Sequence, residues 1–281
     1  MFDVSSGRTD GSYVLAAGEA AAYRLRILHE LYGPGTRRLL IDAGLRCGMR
    51  VADLGCGVGI VTAWLAKLVG SDGFVVGIDE SGAQLSEARE RLNGDGDNVS
   101  FVQASATDVS LPAESFDLVY CRFLLIHLAD PERALREMWR LLKPNGILVC
   151  EDGDLTNCGS EPPSALDMFA DLWGRLGPIK RVDFTLGRRL FRMVLDAGFS
   201  APQITFNQPV VARGENKRLL ELSVAEAGQS FVKAGLITAE ELERTLAEMR
   251  RMAQDENILA VMPRMSQVWA RKSTPHTEEL R

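Results

Sequence analysis

The sequence lacks the marks of several protein classes. None of its five cysteines, Cys47, Cys56, Cys121, Cys150 and Cys158, stands in C-x-x-C spacing, and the number is odd. Neither a disulfide framework nor a zinc site is indicated, and no metal is expected. No apolar run approaches the roughly eighteen residues that span a bilayer. Met1 to Gly11 is polar, without the basic segment and apolar core of a secretory signal. Basic residues are outnumbered, 32 Lys and Arg against 38 Asp and Glu, for a net charge of −6. A sequence-independent nucleic-acid binder gathers cations on one face, and docking on anionic membrane makes the same demand. Neither nucleic acid nor membrane is therefore an expected partner. Internal repeats and low-complexity tracts are also missing. What remains is an ordinary globular composition, 46% hydrophobic and 25% charged, expected in a reduced, cytoplasmic compartment. The 281 residues fit two domains or one elaborated domain, and they can bury a core without disulfide or metal staples.

Strand and helix signals alternate through the middle of the chain. Arg50 to Leu54 is a short apolar run leading into glycines, and Ile60 to Val69 carries Ile60, Trp64 and Leu68 at helical spacing. Gly73 to Asp79 is the next strand. Ser81 and Gln84 then predict a capping box for a helix to about Leu92. Val99 to Gln103 and Phe116 to Cys121 are further strands. Asp130-Pro131 opens a helix that turns Leu135, Met138, Trp139 and Leu142 inward. Lys143 to Gly146 is a predicted turn, and Ile147 to Cys150 a fifth strand. This alternation predicts an α/β fold, a doubly wound parallel sheet with ligands at the carboxyl ends of its strands.

Beyond Glu151 the pattern changes. Leu166, Phe169, Trp173 and Leu176 predict a helix ended by Gly177-Pro178, and Leu186 to Leu195 another stopped by Gly198. Ala201 to Ala212 reads as a strand, and Ile258 to Ala270 contains another. Two helical stretches lie between them, Asn216 to Ala234 and Ala239 to Gln254, the second opened by a Thr238/Glu241 capping box. The apolar stripe Leu219, Leu220, Leu222, Phe231 and Leu236 is core or a contact with a second copy when taken singly. As a set it reads as a cap over a hydrophobic small molecule.

The chemistry concentrates in Asp53-Leu54-Gly55-Cys56-Gly57-Val58-Gly59, between a strand and a helix. Glycines let the backbone turn sharply and approach a ligand closely. A nicotinamide loop, G-x-G-x-x-G, would place glycine at position 60, where this chain has Ile60. An acid at Asp53 would also sit poorly beside a pyrophosphate. The pattern suits a nucleoside with a cationic tail, its ribose hydroxyls accepted by Asp79 at the end of the second strand.

With these residues the sequence resembles the class I S-adenosylmethionine-dependent methyltransferases, in the small-molecule group with the D-x-G-x-G-x-G loop. The resemblance runs from about Tyr13 to Asp152. Besides the loop, it is carried by Gly77-Ile78-Asp79, Ser115-Phe116-Asp117 and Leu142-Lys143-Pro144-Asn145-Gly146. It implies a Rossmann-like seven-stranded sheet with the last strand antiparallel. An N-terminal helical lid would cover residues 1–48 and the methyltransferase domain 49–281, with a helical cap insertion at about 215–256. The implied cofactor is S-adenosyl-L-methionine, leaving as S-adenosyl-L-homocysteine. Its methionine part would rest on Asp53, Gly55, Cys56, Gly57 and Gly59, and its ribose on Asp79 with Glu80. Ser105 and Ala106 would flank the adenine, although many relatives carry Asp where this chain has Ser105. Arg122 belongs to the same expected cofactor site, and Tyr13 to the lid.

Methyl transfer asks mainly for an in-line nucleophile and exclusion of water. A hydroxyl nucleophile also gains from a base, and His127, just past the fourth strand, is the candidate catalytic residue. Its apolar neighbours Leu124, Leu125, Ile126 and Leu128 fit a core histidine as well. His29 and His276 read as structural or exposed. Arg122 could otherwise pair with Asp117 or Glu151, while Glu151, Asp152 and Asp154 either line the pocket or are solvated. The expected activity is methylation of a small, largely apolar metabolite at oxygen, in secondary metabolism, with homodimer formation left open. Carbon or nitrogen methylation is the alternative, as is a cofactor-binding protein that transfers nothing. Tyr120-Cys121-Arg122-Phe123 stands where amino-methylating enzymes of DNA or protein glutamine carry D/N-P-P-Y/F, which counts against them.

Overall fold

The computed structural model describes residues 19–92 and 98–273. A long helix, α1 (Glu19–Ala43), precedes the alternating half: β1 (Arg50–Leu54), α2 (Ile60–Val69), β2 (Phe74–Asp79), α3 (Gly82–Arg91), β3 (Val99–Gln103), β4 (Phe116–Arg122), α4 (Pro131–Leu141) and β5 (Leu142–Asp154). The second half adds β6 (Gly159–Glu161), α5 (Met168–Lys180), α6 (Leu190–Asp196), β7 (Ser200–Asn207), β8 (Val210–Val211), α7 (Leu219–Lys233), α8 (Ala239–Gln254), β9 (Leu259–Val261) and β10 (Arg264–Arg271).

Seven strands form one sheet in the order β3-β2-β1-β4-β5-β10-β7. The first five pair parallel, and β10 inserts antiparallel between β5 and β7. This is the Rossmann-like sheet with an antiparallel last strand that the sequence implies. Its order reverses between β1 and β4, the place where open α/β sheets bind ligands. Alternate residues of each strand enter different cores, because successive side chains point to opposite faces. Val51, Val75, Leu118 and Val149 pack with α2, while Ala52, Val76, Val119 and Leu148 join the core that holds α4 and α5. Helix α1 belongs to both cores, through Ile27 and Tyr32 in one and Leu39 and Leu40 in the other.

Local signals account for most boundaries. The Asp130 carboxylate accepts the Arg133 N–H ahead of α4, and the Thr238/Glu241 box caps α8 reciprocally. Ser81 caps α3 by accepting the Gln84 N–H, while the Gln84 side chain is turned toward the Gly57 backbone. Four boundaries differ from the sequence reading. Strand β5 already starts at Leu142 and runs through the predicted turn, because Asn145 and Gly146 hydrogen-bond with Lys272 at the end of β10. Asn145 reaches this with a φ of 62°, a left-handed conformation that Asn tolerates. The same strand continues past Cys150 to Asp154, which pairs with Arg264. Gly177-Pro178 lies inside α5, which ends instead at Arg181 with a φ of 57°. The single strand expected over Ala201 to Ala212 is two, since β8 leaves the main sheet for a small one of order β6-β9-β8.

The helices α7 and α8 lie between β7 and β10 in the chain, as the cap reading expects. They meet closely at Gly228, where a Cβ would come within 2.7 Å of Leu242. Buried Glu221 accepts from both Arg218 and Arg250. Helix α1 is tied to α7 by the buried pair Arg24–Glu226, and to the turn before α7 by Tyr23 donating to Glu215 at 2.5 Å. No helix among the described residues is long and apolar enough to cross a membrane.

Gly77 fixes the spacing beneath the glycine loop. A Cβ there would stand 2.7 Å from the Phe101 ring and 3.0 Å from Cys56 Sγ. Gly77→Ala is therefore expected to destabilise the protein by about 1–3 kcal/mol, the usual cost of overpacking a tight core. Chemical denaturation of the two proteins measures the difference.

Candidate active site

At the end of β1 the chain enters a turn built on backbone groups. The N–H groups of Gly55 and Cys56 both donate to the Ile78 carbonyl on β2, at 2.7 and 3.1 Å. Gly55 and Gly57 adopt φ values of 71° and 55°, which L residues with a side chain seldom hold. A Cβ on Gly55 would also lie 2.9 Å from Leu124. Asp79, at the end of β2, accepts the Gly57 N–H on one oxygen and the Ser81 N–H on the other, each at 2.9 Å. Two hydrogen bonds leave acceptor capacity on both oxygens. Asp53 is buried beside the turn and accepts from Thr62 Oγ1 at 2.6 Å. Burial pushes its carboxyl up to about 7.

Past β4 the chain passes through Phe123 and Leu124 into a single 3-10 turn, Leu125–His127. That turn is anchored from β5. Buried Asp152 accepts the N–H groups of Leu125 and Ile126 on one oxygen, at 2.8 and 3.3 Å, and its own neighbour Gly153 on the other. Burial raises the Asp152 carboxyl to about 7 against the pull of these donors. His127 is buried with its ring edge-on to Phe184, and burial together with the Arg24 charge lowers it to about 4. Its imidazole is thus neutral near pH 7. Trp173 packs edge-on against both Phe184 and Phe231.

These parts surround one cavity. The glycine turn with Asp53, Asp79 and Gln84 forms one end. Phe123, Leu124, His127, Phe169 and Trp173 line the other, closed by Leu28 and Tyr32 of α1 and Leu219 and Leu220 of α7. Arg122 reaches the cavity from β4. Its Nη1 donates to Thr36 Oγ1 at 3.3 Å, and the Thr36 hydroxyl donates to buried Glu151 at 2.7 Å. Burial raises Glu151 to about 7, with the Arg122 charge acting against it.

Of the residues singled out in the sequence, Asp53, Gly55, Cys56, Gly57, Asp79, Arg122 and His127 meet in this cavity. Gly59, Glu80, Ser105 and Ala106 do not line it. Gly59 starts α2 against Ala88 and Phe101. Glu80 is exposed, with its carbonyl accepting from Gln103. Ser105 Oγ shares a hydrogen bond with Thr107, and Ala106 is buried. Tyr13 and His276 lie outside the described residues. Glu151, Asp152 and Asp154 are neither cavity liners nor solvated: all three are buried on partners, Asp154 on Arg188. Asp117, for its part, pairs with Lys143 at 2.8 Å. Sequence reasoning passed over Arg24, Tyr32 and Ser223, all of which line the cavity. Nothing local marks them, because they reach it only through tertiary packing.

The donor set suits the cofactor implied by the sequence. A glycine-rich turn flanked by the acids Asp53 and Asp79 can receive ribose hydroxyls and a cationic tail, whereas a pyrophosphate would meet an acidic side chain at both positions.

Residues 52–150 match a family model described as a methyltransferase domain. Over 137 residues the chain is 37% identical to the ubiquinone/menaquinone biosynthesis C-methyltransferase UbiE of Vibrio campbellii, covering 46% of this chain and 53% of that one. The protein of the same name from Hahella chejuensis is 38% identical over 154 residues, 52% of this chain and 62% of that one. The chain thus spans little more than half the length of the curated relatives it matches. Among solved structures, a SAM-dependent methyltransferase from Aquifex aeolicus superposes with a TM-score of 0.51 at 24% identity, covering 67% of this chain and 93% of that one. A phosphoethanolamine N-methyltransferase 2 from Haemonchus contortus, in complex with phosphomonomethylethanolamine and S-adenosylhomocysteine, gives 0.57 at 14% identity, with 89% and 57% covered. Likeness at such identity speaks for the fold. The glycine turn and the carboxylate at the end of β2 thus lie within the segment, residues 52–150, that matches a methyltransferase domain, on a sheet within the fold those solved methyltransferase structures share.

Proposed function

We propose that the protein transfers the methyl group of S-adenosyl-L-methionine to a small, largely apolar metabolite, at an oxygen atom, by in-line displacement. One observation carries this reading. A single cavity joins the glycine turn with its two carboxylates to a chamber of aromatic and aliphatic side chains that contains one histidine. The cofactor supplies a methyl group already bonded to a sulfonium, so the protein's work is placement and exclusion of water. Asp79 accepts the ribose hydroxyls, and Asp53 offsets the cationic tail. Glu80, Ser105 and Ala106 extend the site toward the adenine, while Gly59 sets the start of α2 beneath it. Residues 1–48, including Tyr13, act as a lid, and residues of about 215–256 as the cap on one body with the sheet.

His127 takes the proton from the acceptor hydroxyl. Burial keeps its imidazole neutral at neutral pH, the state a base requires, and Asp152 holds the turn that carries it. Carbon methylation is the second reading, favoured by the activity for which the UbiE relatives are named. An enolisable carbon would use the same base and chamber. Labelled S-adenosylmethionine, supplied with a panel of small phenols and 1,3-diketones, separates the two by NMR, since oxygen-bound and carbon-bound methyl groups resonate apart. Binding of S-adenosylhomocysteine with no product from any acceptor would instead favour a protein that holds the cofactor without transferring methyl.

Asp79→Ala should weaken S-adenosylhomocysteine binding on the order of 100-fold, from the loss of two hydrogen bonds to a charged acceptor. Calorimetry reads this directly, and undiminished affinity would remove Asp79 from the site. His127→Ala should leave that affinity unchanged and slow turnover of a phenol acceptor by roughly 100- to 10,000-fold; an unaltered rate would show that no base acts there.

A further outcome concerns pH. Asp53 ionises near its ordinary 3.8 when unfolded and at about 7 when folded. Between those values the folded chain binds the extra proton, so wild-type stability should fall relative to Asp53→Asn as pH rises from about 4 to about 7. The loss is about 1.4 kcal/mol per unit separating the two ionisations. Denaturant titrations at both ends of the window test it, and a constant gap between the two proteins would contradict it.

A further inference from the structure

The acceptor side of the cavity holds a cation whose hydrogen-bonding capacity is largely unused. Arg24, on α1, is 6% exposed and lines the cavity. Its Nε is engaged by Glu226 of α7, whose side chain is 8% exposed. Among the described residues, Nη1 and Nη2 of Arg24 make no hydrogen bond. Neither Nη atom is among the fully buried ones, so both face open space in which a ligand acceptor could meet them. The same cavity is lined by the apolar Leu28, Leu219, Leu220 and Trp173, and Ser223 turns its hydroxyl to the Leu219 carbonyl at 2.8 Å. Arg122, the other arginine of the cavity, differs in having both Thr36 and buried Glu151 beside it.

We propose that Arg24 is a binding residue for a negatively charged oxygen on the methyl acceptor, the feature shared by a carboxylate, a phenolate and an enolate. The proposal rests on the methyl-transfer reading and narrows its substrate class from any apolar metabolite to an apolar molecule with one anionic end. The guanidinium is a planar fork suited to two oxygens or to one charged oxygen held between two donors. Glu226 grips the Nε edge and so fixes the plane of the fork. It also neutralises Arg24 while the chamber is empty, which lets a cation be buried there. Arg24 lies near enough to His127 for its charge to be felt by the imidazole. The anionic end would therefore sit beside the proposed base. The apolar body would fill the space against Trp173 and the two leucines of α7.

The test uses 4-butylbenzoate and its near-isosteric neutral amide, 4-butylbenzamide, titrated by calorimetry into protein loaded with S-adenosylhomocysteine. Wild type should bind the benzoate at least about tenfold more tightly than the amide. Arg24→Met should abolish that preference while leaving affinity for the amide and for S-adenosylhomocysteine within about twofold. Because this variant leaves Glu226 buried without its partner, the double variant Arg24→Met/Glu226→Leu, which removes both charges, should show the same loss. Glu226→Gln should keep the preference. Equal binding of the two probes by wild type, binding of neither, or a preference that survives in the folded double variant would overturn the proposal. Failure of the methyl-transfer reading shows separately, as loaded protein that distinguishes the probes but yields no methylated product.

Discussion

The cavity depends on one carboxylate that joins two loops. Asp79 takes one N–H from the glycine turn after β1 and one from the start of α3 after β2. The glycine turn has almost no side chains to pack, so hydrogen bonds must give it a defined shape. Two of them come from the Ile78 carbonyl and one from Asp79. In-register pairing of Asp53 with Gly77 and Leu54 with Ile78 puts those acceptors where the turn needs them. The same carboxylate keeps lone pairs on both oxygens for a ligand. Structure and proposed binding thus use one group, and substitution there acts on both.

A second layer of order comes from β5. Its last four residues include three acids, Glu151, Asp152 and Asp154, all buried, each serving a different neighbour. Glu151 receives Thr36 of α1, Asp152 holds the turn bearing His127, and Asp154 takes Arg188. Strand alternation sends Glu151 to one face and Asp152 and Asp154 to the other. A short segment can therefore position α1, the 3-10 turn and the approach to α6 together. Buried carboxylates are costly unless satisfied, and these are satisfied by backbone N–H groups, hydroxyls and a guanidinium. The rise of Asp152 and Glu151 to about 7 is the residue of that cost.

The alternating half was legible in the sequence because its elements are set by local periodicity and caps. Asp130-Pro131, Ser81 and the run Arg50 to Leu54 each act within a few residues. The glycine-turn end of the cavity was legible for the same reason, since Asp53 to Gly57 is contiguous and Asp79 closes the next strand. Elements set by distant partners were not legible. Strand β5 outruns its apolar core because β10, more than a hundred residues later, pairs with Asp154, and β8 parts from β7 because β9 draws it into a second sheet. Arg24 shows the same limit at the site. No local pattern singles it out on α1, and its burial depends on α7 arriving with Glu226.

This division bears on how far a relative's chemistry can be carried over. The family model ends at residue 150, and most of the wall opposite the glycine turn lies beyond it or before residue 52. Leu28 and Tyr32 come from α1, Phe169 and Trp173 from α5, Leu219 and Leu220 from α7. Within 52–150 that end has only Phe123, Leu124, Ile126 and His127. Two proteins could share every residue of the matched segment, and hence the glycine turn and the proposed base, while enclosing different acceptors. The shape and charge of the cavity opposite the glycine turn follow from α1, α5 and α7. Those elements, and the Arg24–Glu226 contact between two of them, are where a change of substrate would be written.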